Sequence, residues 1–325
     1  MPLQISADEA RAFLREHGHD ATTLEPLKGG AWSTVFAFRE GGDDLVVRFH
    51  QRRDDLEKDR LAERWSAPSL HVPHMVEIGD LPEGGGYGIA RRVRGGPIDD
   101  LDEPGMRAAL PRLFEAMDAM READLEGTTG YGLWHGDGRG ERPSWREAFV
   151  GEAATRERAT QRAMLARTPV GHVAFDAGIA RMAELVRWSS EQRHLVHNDL
   201  LYRNVFIGGD DMVLLDWGAS IFGDFLYDVA VLTFWWPYYA ERWGGIDVRG
   251  EIERHYADIG LVVPNFRERL RLCELDIGVV HIAYQAAGGQ FGDASWTAGG
   301  TEMGNAAWTA RRTAELAERD LSSSA

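Results

Sequence analysis

Apolar and polar positions follow two different rhythms along this chain, and the change falls near residue 95. Residues 6–17 open with Ser6, three positions ahead of Glu9, and then place Ala10, Phe13 and Leu14 at helical spacing. That order is a capping box leading into an amphipathic helix. Short alternating or apolar runs follow at 32–38, 45–49, 76–78 and 87–93, separated by glycine turns at 29–30, 41–42 and 84–86. They predict a small antiparallel sheet of hairpins, interrupted by one polar helix over 54–65. After Gly95-Gly96-Pro97 the period becomes 3.6 residues. Helices are predicted over 106–122, 145–167 and 175–189, and the chain is helical again from 251 to 318. A strand-and-loop block, 194–216, lies between them. The pattern reads as α+β: a small β-rich lobe over 1–94, a Gly-Pro hinge, and a larger helical lobe over 95–325, with no internal repeat.

Composition narrows the function classes. Apolar residues make up 44% and charged residues 27% of 325, which is globular. The 52 acidic side chains outnumber the 36 basic ones, giving a formal charge of −16. Nucleic acid needs Lys and Arg to displace its counterions, so no nucleic-acid partner is expected. An acidic surface suits a cationic ligand, and it equally serves solubility. The single cysteine, Cys273, excludes an intramolecular disulfide and a multi-cysteine metal site, and reads as a buried filler. The start of the chain lacks the basic and apolar segments of a signal peptide. The longest apolar run, 229–240, is too short to span a bilayer. A cytoplasmic monomer without a membrane partner is expected.

The chemistry concentrates in one stretch. His197-Asn198-Asp199 is followed five residues after the aspartate by Asn204, and an apolar strand then ends in Asp216-Trp217-Gly218. Phosphoryl transfer needs a carboxylate beside the attacking hydroxyl and oxygen ligands for the Mg²⁺ that bridges the phosphates. In that order, Asp199 accepts the hydroxyl proton, Asn204 and Asp216 bind metal, and His197 braces the loop. A local turn capped by Asp199 and Asn204 would not explain the second, strand-terminal aspartate. Upstream, Gly29, Gly30 and Ser33 lie between two predicted strands, where backbone amides can approach an anion. Arg48 stands on the following strand as a phosphate-gripping cation, with Asp59 on the next helix as its ion-pair partner.

These motifs resemble the kinase catalytic and metal loops, with HND for HRD and DWG for DFG. The chain as a whole is similar to the aminoglycoside phosphotransferase family. The blocks that carry this likeness outside the catalytic core are EAMDAMREADLEGTTGYG (115–132), SWREAF (144–149), LYDVAVLTFWWP (226–237) and QFGDASW (290–296). The resemblance implies a bilobal protein-kinase-like fold, ATP or GTP as phosphate donor, and a cationic aminoglycoside as acceptor, in particular the 4-hydroxyl of hygromycin B. It also implies that an interlobe strand at 90–93 holds the adenine through the backbone of Arg91 and Val93. Asp228 would brace the catalytic loop, and Trp235, Glu241 and Asp293 would contact the acceptor. The catalytic motif is shared with kinases of choline, fructosamine, homoserine and macrolides, so these stay open. A regulatory pseudokinase is disfavoured because Asp199, Asn204 and Asp216 are all present. A protein kinase is disfavoured by the missing Ala-Pro-Glu segment.

Overall fold

The protein is seen in a computed structural model that describes residues 4–28, 32–201, 203–208, 211–292 and 306–320. Helix α1 (Ala7–Glu16) starts as its sequence demands. Ser6 Oγ accepts from the Glu9 amide, and the Glu9 carboxylate accepts from the Ser6 amide. Its apolar side lays Phe13 edge-on against Phe49 and Tyr87 of the sheet.

Five strands follow: β1 (Glu25–Leu27), β2 (Ser33–Glu40), β3 (Asp43–His50), β4 (Met75–Asp80) and β5 (Gly86–Arg91). They form one antiparallel sheet in the order β1-β2-β3-β5-β4. Gly41 and Gly42 turn the β2–β3 hairpin with φ of 60° and 95°, values that only glycine adopts freely at both positions. Between β3 and β4 runs α2 (Arg53–Ala62), the polar helix predicted from the charge run, extended to Trp65 by a 3₁₀ turn. Residues of α1 and the sheet, among them Leu14, Phe36, Val47, Phe49 and Ile89, make a separate apolar cluster.

The second region opens with β6 (Gly96–Pro97) and α3 (Glu103–Glu122), then β7 (Tyr131–Trp134) and β8 (Gly140–Arg142). The helix predicted over 145–167 is two helices, α4 (Trp145–Val150) and α5 (Glu152–Leu165). Gly151 breaks it: its backbone is extended, and a Cβ there would fall 2.5 Å from the Glu147 carbonyl. Next come α6 (Val173–Leu185), β9 (His194–Val196), β10 (Val205–Gly208), β11 (Asp211–Leu214) and β12 (Ile221–Gly223). Helices α7 (Leu226–Trp235), α8 (Ala240–Trp243), α9 (Val248–Asp258), α10 (Phe266–Ala287) and α11 (Ala306–Glu318) complete the described chain.

Two small sheets carry the loops that matter, β11-β10-β6 and β8-β7-β12-β9. The larger apolar cluster fills this region, and it also takes in Ala62, Trp65, Leu70 and Val72 from before residue 95. The two clusters are the basis on which we propose a division at residues 94 and 95. The end of α2 and the segment after it are built into the second body. Cys273 is buried in α10, and burial pushes its thiol pKa up. Among the described residues no helix is long and apolar enough to cross a membrane.

Candidate active site

The loop between β9 and β10 carries the predicted motif, and backbone clamps at both ends hold it. At its start the buried Asp228 of α7 accepts from the His197 amide (2.9 Å) and the Asn198 amide (2.8 Å). At its end the buried Asp99 accepts from the Arg203 amide (2.9 Å) and from the Tyr239 hydroxyl (3.1 Å). Arg242 in turn donates to the Asp99 carbonyl. Asn198 and Arg203 sit at φ of 64° and 71°. Left-handed backbone is unfavourable for side-chain-bearing residues, and it persists where surrounding contacts over-determine it. The two carboxylate clamps supply those contacts.

The β10–β11 hairpin then sets the second half of the site. Val205 pairs with Leu214, so the next pair outward brings Asn204 beside Leu215, whose amide donates to the Asn204 carbonyl at 2.8 Å. Asp216 follows directly, also left-handed at φ 59°. Three of the four non-glycine residues with positive φ among the described residues therefore belong to this one site.

Asn204 Nδ2 donates to Asp199 Oδ2 at 2.7 Å. Burial drives the Asp199 carboxyl pKa well above its ordinary value, and the nearby Asp216 charge adds to that. The bond from Asn204 acts the other way. Burial also works against charge on Asp216, but the adjacent Arg48 guanidinium outweighs it and holds that carboxyl low. Arg48 reaches from β3 to join Asp59 of α2 with Asp216 (3.4 Å), and Asp59 accepts from the Trp217 amide at 2.9 Å. His197 is fully buried and its Nε2 bonds the Leu215 carbonyl at 3.0 Å. Burial lowers its pKa to about 4, which makes it a neutral brace at physiological pH.

A cleft of about 290 Å³ runs into this cluster between the two regions. Val35, Val46, Met75 and Leu214 line its apolar part, and Arg48, Asp59, Asn204 and Asp216 its polar end. Ser33, Arg91 and Val93 border it as well. The Arg91 amide is taken by the His74 carbonyl and the Arg92 amide by that of Asp44. An apolar slot ending in a forked cation and a set of carboxylate and amide oxygens can hold a flat ring at one end and an anion with a divalent cation at the other.

The acceptor expectations fare differently. Trp235 is 1% exposed, stacked on Trp308 at 5.5 Å and edge-on to Phe234, Tyr238 and His281. This corrects the expectation that its ring faces a sugar: it is a core aromatic, because the apolar run 226–236 is buried on all sides. Glu241 is exposed at the start of α8, between Tyr239 and Arg242, which hold Asp99 under the catalytic loop. Gly29, Gly30 and Asp293 lie outside the described residues.

Two residues that sequence reasoning passed over are built into the site. Asp99 stands in an Ile-Asp-Asp run with no motif around it. Lys58 was hidden in the α2 charge run, which read as a solvated face. It is 1% exposed and donates to the Gly218 and Ser220 carbonyls at 2.7 and 3.1 Å.

Comparison with known proteins agrees with this geometry. The chain is 32% identical over 301 residues to hygromycin-B 4-O-kinase of Escherichia coli, covering 90% of this chain and 83% of that one. The crystal structure of aminoglycoside phosphotransferase APH(4)-Ia superposes with a TM-score of 0.80 at 28% identity, covering 96% of this chain and 98% of that one. A thermostable mutant of the same enzyme, in ternary complex with AMP-PNP and hygromycin B, gives 0.79 at 26% identity over 94% and 97%. The family model described as the phosphotransferase enzyme family matches residues 23–270. With three quarters of its length matched and the α+β kinase-like fold in place, the chain belongs to the aminoglycoside phosphotransferase (APH) family of phosphotransferase enzymes.

Proposed function

We propose that this protein transfers the γ-phosphate of a nucleoside triphosphate to a hydroxyl of an aminoglycoside, with the 4-hydroxyl of hygromycin B as the acceptor. The observation that carries the reading is Asn204 and Asp216 lining the polar end of an interlobe cleft, with Asp199 tied to Asn204 at 2.7 Å just behind them. The names of the relatives supply the acceptor class.

The donor set suits Mg²⁺. Asn204 turns its amide nitrogen to Asp199, which leaves its carbonyl oxygen available as a ligand; it and the Asp216 carboxylate both belong to residues lining the cleft, and hard cations take oxygen ligands of this kind. A magnesium ion there would neutralise charge on the phosphate oxygens. The adenine or guanine ring would lie among Val35, Val46, Met75 and Leu214, with the Val93 backbone at its edge. Lys28 and Ser33 would border the phosphates, and Arg48 would face them while pinned by Asp59.

Catalysis is then mainly positioning. The acceptor hydroxyl sits against Asp199, its oxygen forms a bond to the γ-phosphorus, the bond from that phosphorus to the β–γ bridging oxygen breaks, and the proton passes to Asp199. Asn204 holds the Asp199 carboxylate in place through Oδ2, and burial makes that carboxyl a stronger base than a free one. A monomer at work in the cytoplasm, where nucleoside triphosphates are supplied, completes this proposal.

Nucleotide consumption by purified protein, measured with hygromycin B, kanamycin, choline, a fructosamine, homoserine and a macrolide, tests the proposal. Hygromycin B should stimulate consumption and emerge heavier by one phosphate. Stimulation by another of these compounds, with none by hygromycin B, would keep the phosphotransferase and overturn the acceptor.

A further inference from the structure

The chain contains two lysines, Lys28 and Lys58, among 36 lysines and arginines; every other cationic residue is arginine. Both are at the site. Lys28 borders the cleft, and Lys58 lies buried on α2 under the segment that follows Asp216. We infer that Lys58 is a positioning residue for metal binding: it holds the 216–220 segment so that the Asp216 carboxylate keeps its aim into the cleft. This rests on the phosphotransferase reading above.

Each of the three ammonium protons has a partner within reach. Gly218 O lies at 2.7 Å, Ser220 O at 3.1 Å, and the Trp134 ring centroid at 4.6 Å. A compact ammonium satisfies two carbonyls one residue apart, where a planar guanidinium fork is larger and differently directed. Packing alone does not call for a cation here. A methionine fills similar space without burying charge, which is unfavourable unless hydrogen bonds compensate it.

The segment Lys58 grips needs holding, because Asp216 is left-handed. Helix α2 supplies three successive contacts. Asp59 takes the Trp217 amide, Lys58 takes the Gly218 and Ser220 carbonyls, and Asp55 packs on Gly218 so closely that a Cβ would meet its carboxyl at 3.1–3.2 Å. All three bear on Trp217 or Gly218, within two positions of Asp216, so little slack remains between the helix and the metal-facing carboxylate. Lys58 is buried and does not line the cleft. Its effect on metal binding passes through Asp216.

The test is Lys58→Met, compared with wild type and Asp216→Ala, by titrating Mg²⁺ against binding of a non-hydrolysable ATP analogue. Lys58→Met is expected to raise the half-saturating Mg²⁺ concentration by about 10- to 100-fold, the range for losing an outer-shell partner of a metal ligand. Binding of adenosine, which carries no phosphate, should stay unchanged. In metal-free protein the Trp217 and Ser220 amides should exchange hydrogen faster. If the methionine variant does not fold, Lys58→Gln, which keeps a donor, takes its place. A shift in Asp216→Ala with none at Lys58 overturns the role of Lys58 alone, and so does an equal loss of adenosine binding. No shift in either variant overturns the metal reading with it.

Discussion

The loop that would carry out phosphoryl transfer and the region that would hold the acceptor are built in opposite ways. Between His197 and Ser220 the backbone is strained at three residues and tied down by buried groups from three other elements: Asp228 of α7, Asp99 ahead of α3, and the Asp55–Lys58–Asp59 face of α2. Around α7 and α8 the aromatics turn inward, Trp235 into a stack with Trp308, while Glu241 points out to water. The first arrangement fixes a few atoms to fractions of an ångström, as in-line transfer requires. The second offers charge on a surface, which can attract a polycation without dictating one pose. Reaction type is therefore written more tightly into this molecule than substrate identity.

The sharpest way to break the comparison is at Asp199. Asp199→Asn keeps the shape and removes the proton acceptor, so turnover should fall by about 10²- to 10⁴-fold while a nucleotide analogue still binds. Steady-state kinetics beside a binding titration checks it. Near-normal turnover would remove Asp199 from the chemistry.

Trp235 tests the other side. As a core residue, Trp235→Ala should cost about 3–5 kcal/mol of stability, seen as a lower melting temperature. The acceptor KM should not change at temperatures where the variant stays folded. A raised KM with stability intact would return this ring to the acceptor site.

Glu241→Gln should act in the reverse sense. Folding should be unaffected, and the KM for a cationic aminoglycoside should rise by about 1.5- to 5-fold, the scale of an exposed ion pair. The increase should shrink as salt is added. Turnover at saturation should hold.

How much of this could be read from the sequence follows the same division. The capping box at Ser6, the β2–β3 hairpin with its glycine pair and the motif Asp199–Asn204–Asp216 are local patterns, and local patterns survive as sequence. The α+β class was legible because the hydrophobic period changes along the chain. The clamps were not: Asp99 is 104 residues from Arg203 and Lys58 is 160 from Gly218, and neither pairing leaves a trace in spacing. Trp235 was misjudged for the same reason, since an aromatic in an apolar run reads alike whether it faces a ligand or Trp308. The break at Gly151 was missed because helical periodicity continues through it, while the extended backbone there, which leaves no room for a Cβ beside Glu147, interrupts the helix.

The last expected effect concerns the two buried groups at the head of the catalytic loop, and its sign can be worked out. Burial lowers the His197 pKa from its ordinary 6.5 to about 4, so between those values the unfolded chain binds a proton that the folded one refuses. Stability from this group is present above pH 6.5 and is lost as pH falls toward 4. Burial raises Asp228 from 3.8 to about 7, so the folded protein holds a proton there that the unfolded chain has released, and stability from it grows as pH falls from 7 toward 4. Each shift corresponds to about 3–4 kcal/mol, and the two slopes run against each other over most of the same window. The wild type should therefore show only a shallow net contribution from this pair. Asp228→Asn removes one of the two titrations and still offers an acceptor oxygen to the loop amides. Relative to wild type it should lose about 3–4 kcal/mol more stability on going from pH 7 to pH 4, measured by urea unfolding at a series of pH values. A pH-independent difference between the two proteins would mean that Asp228 is ionised throughout this range in the folded state.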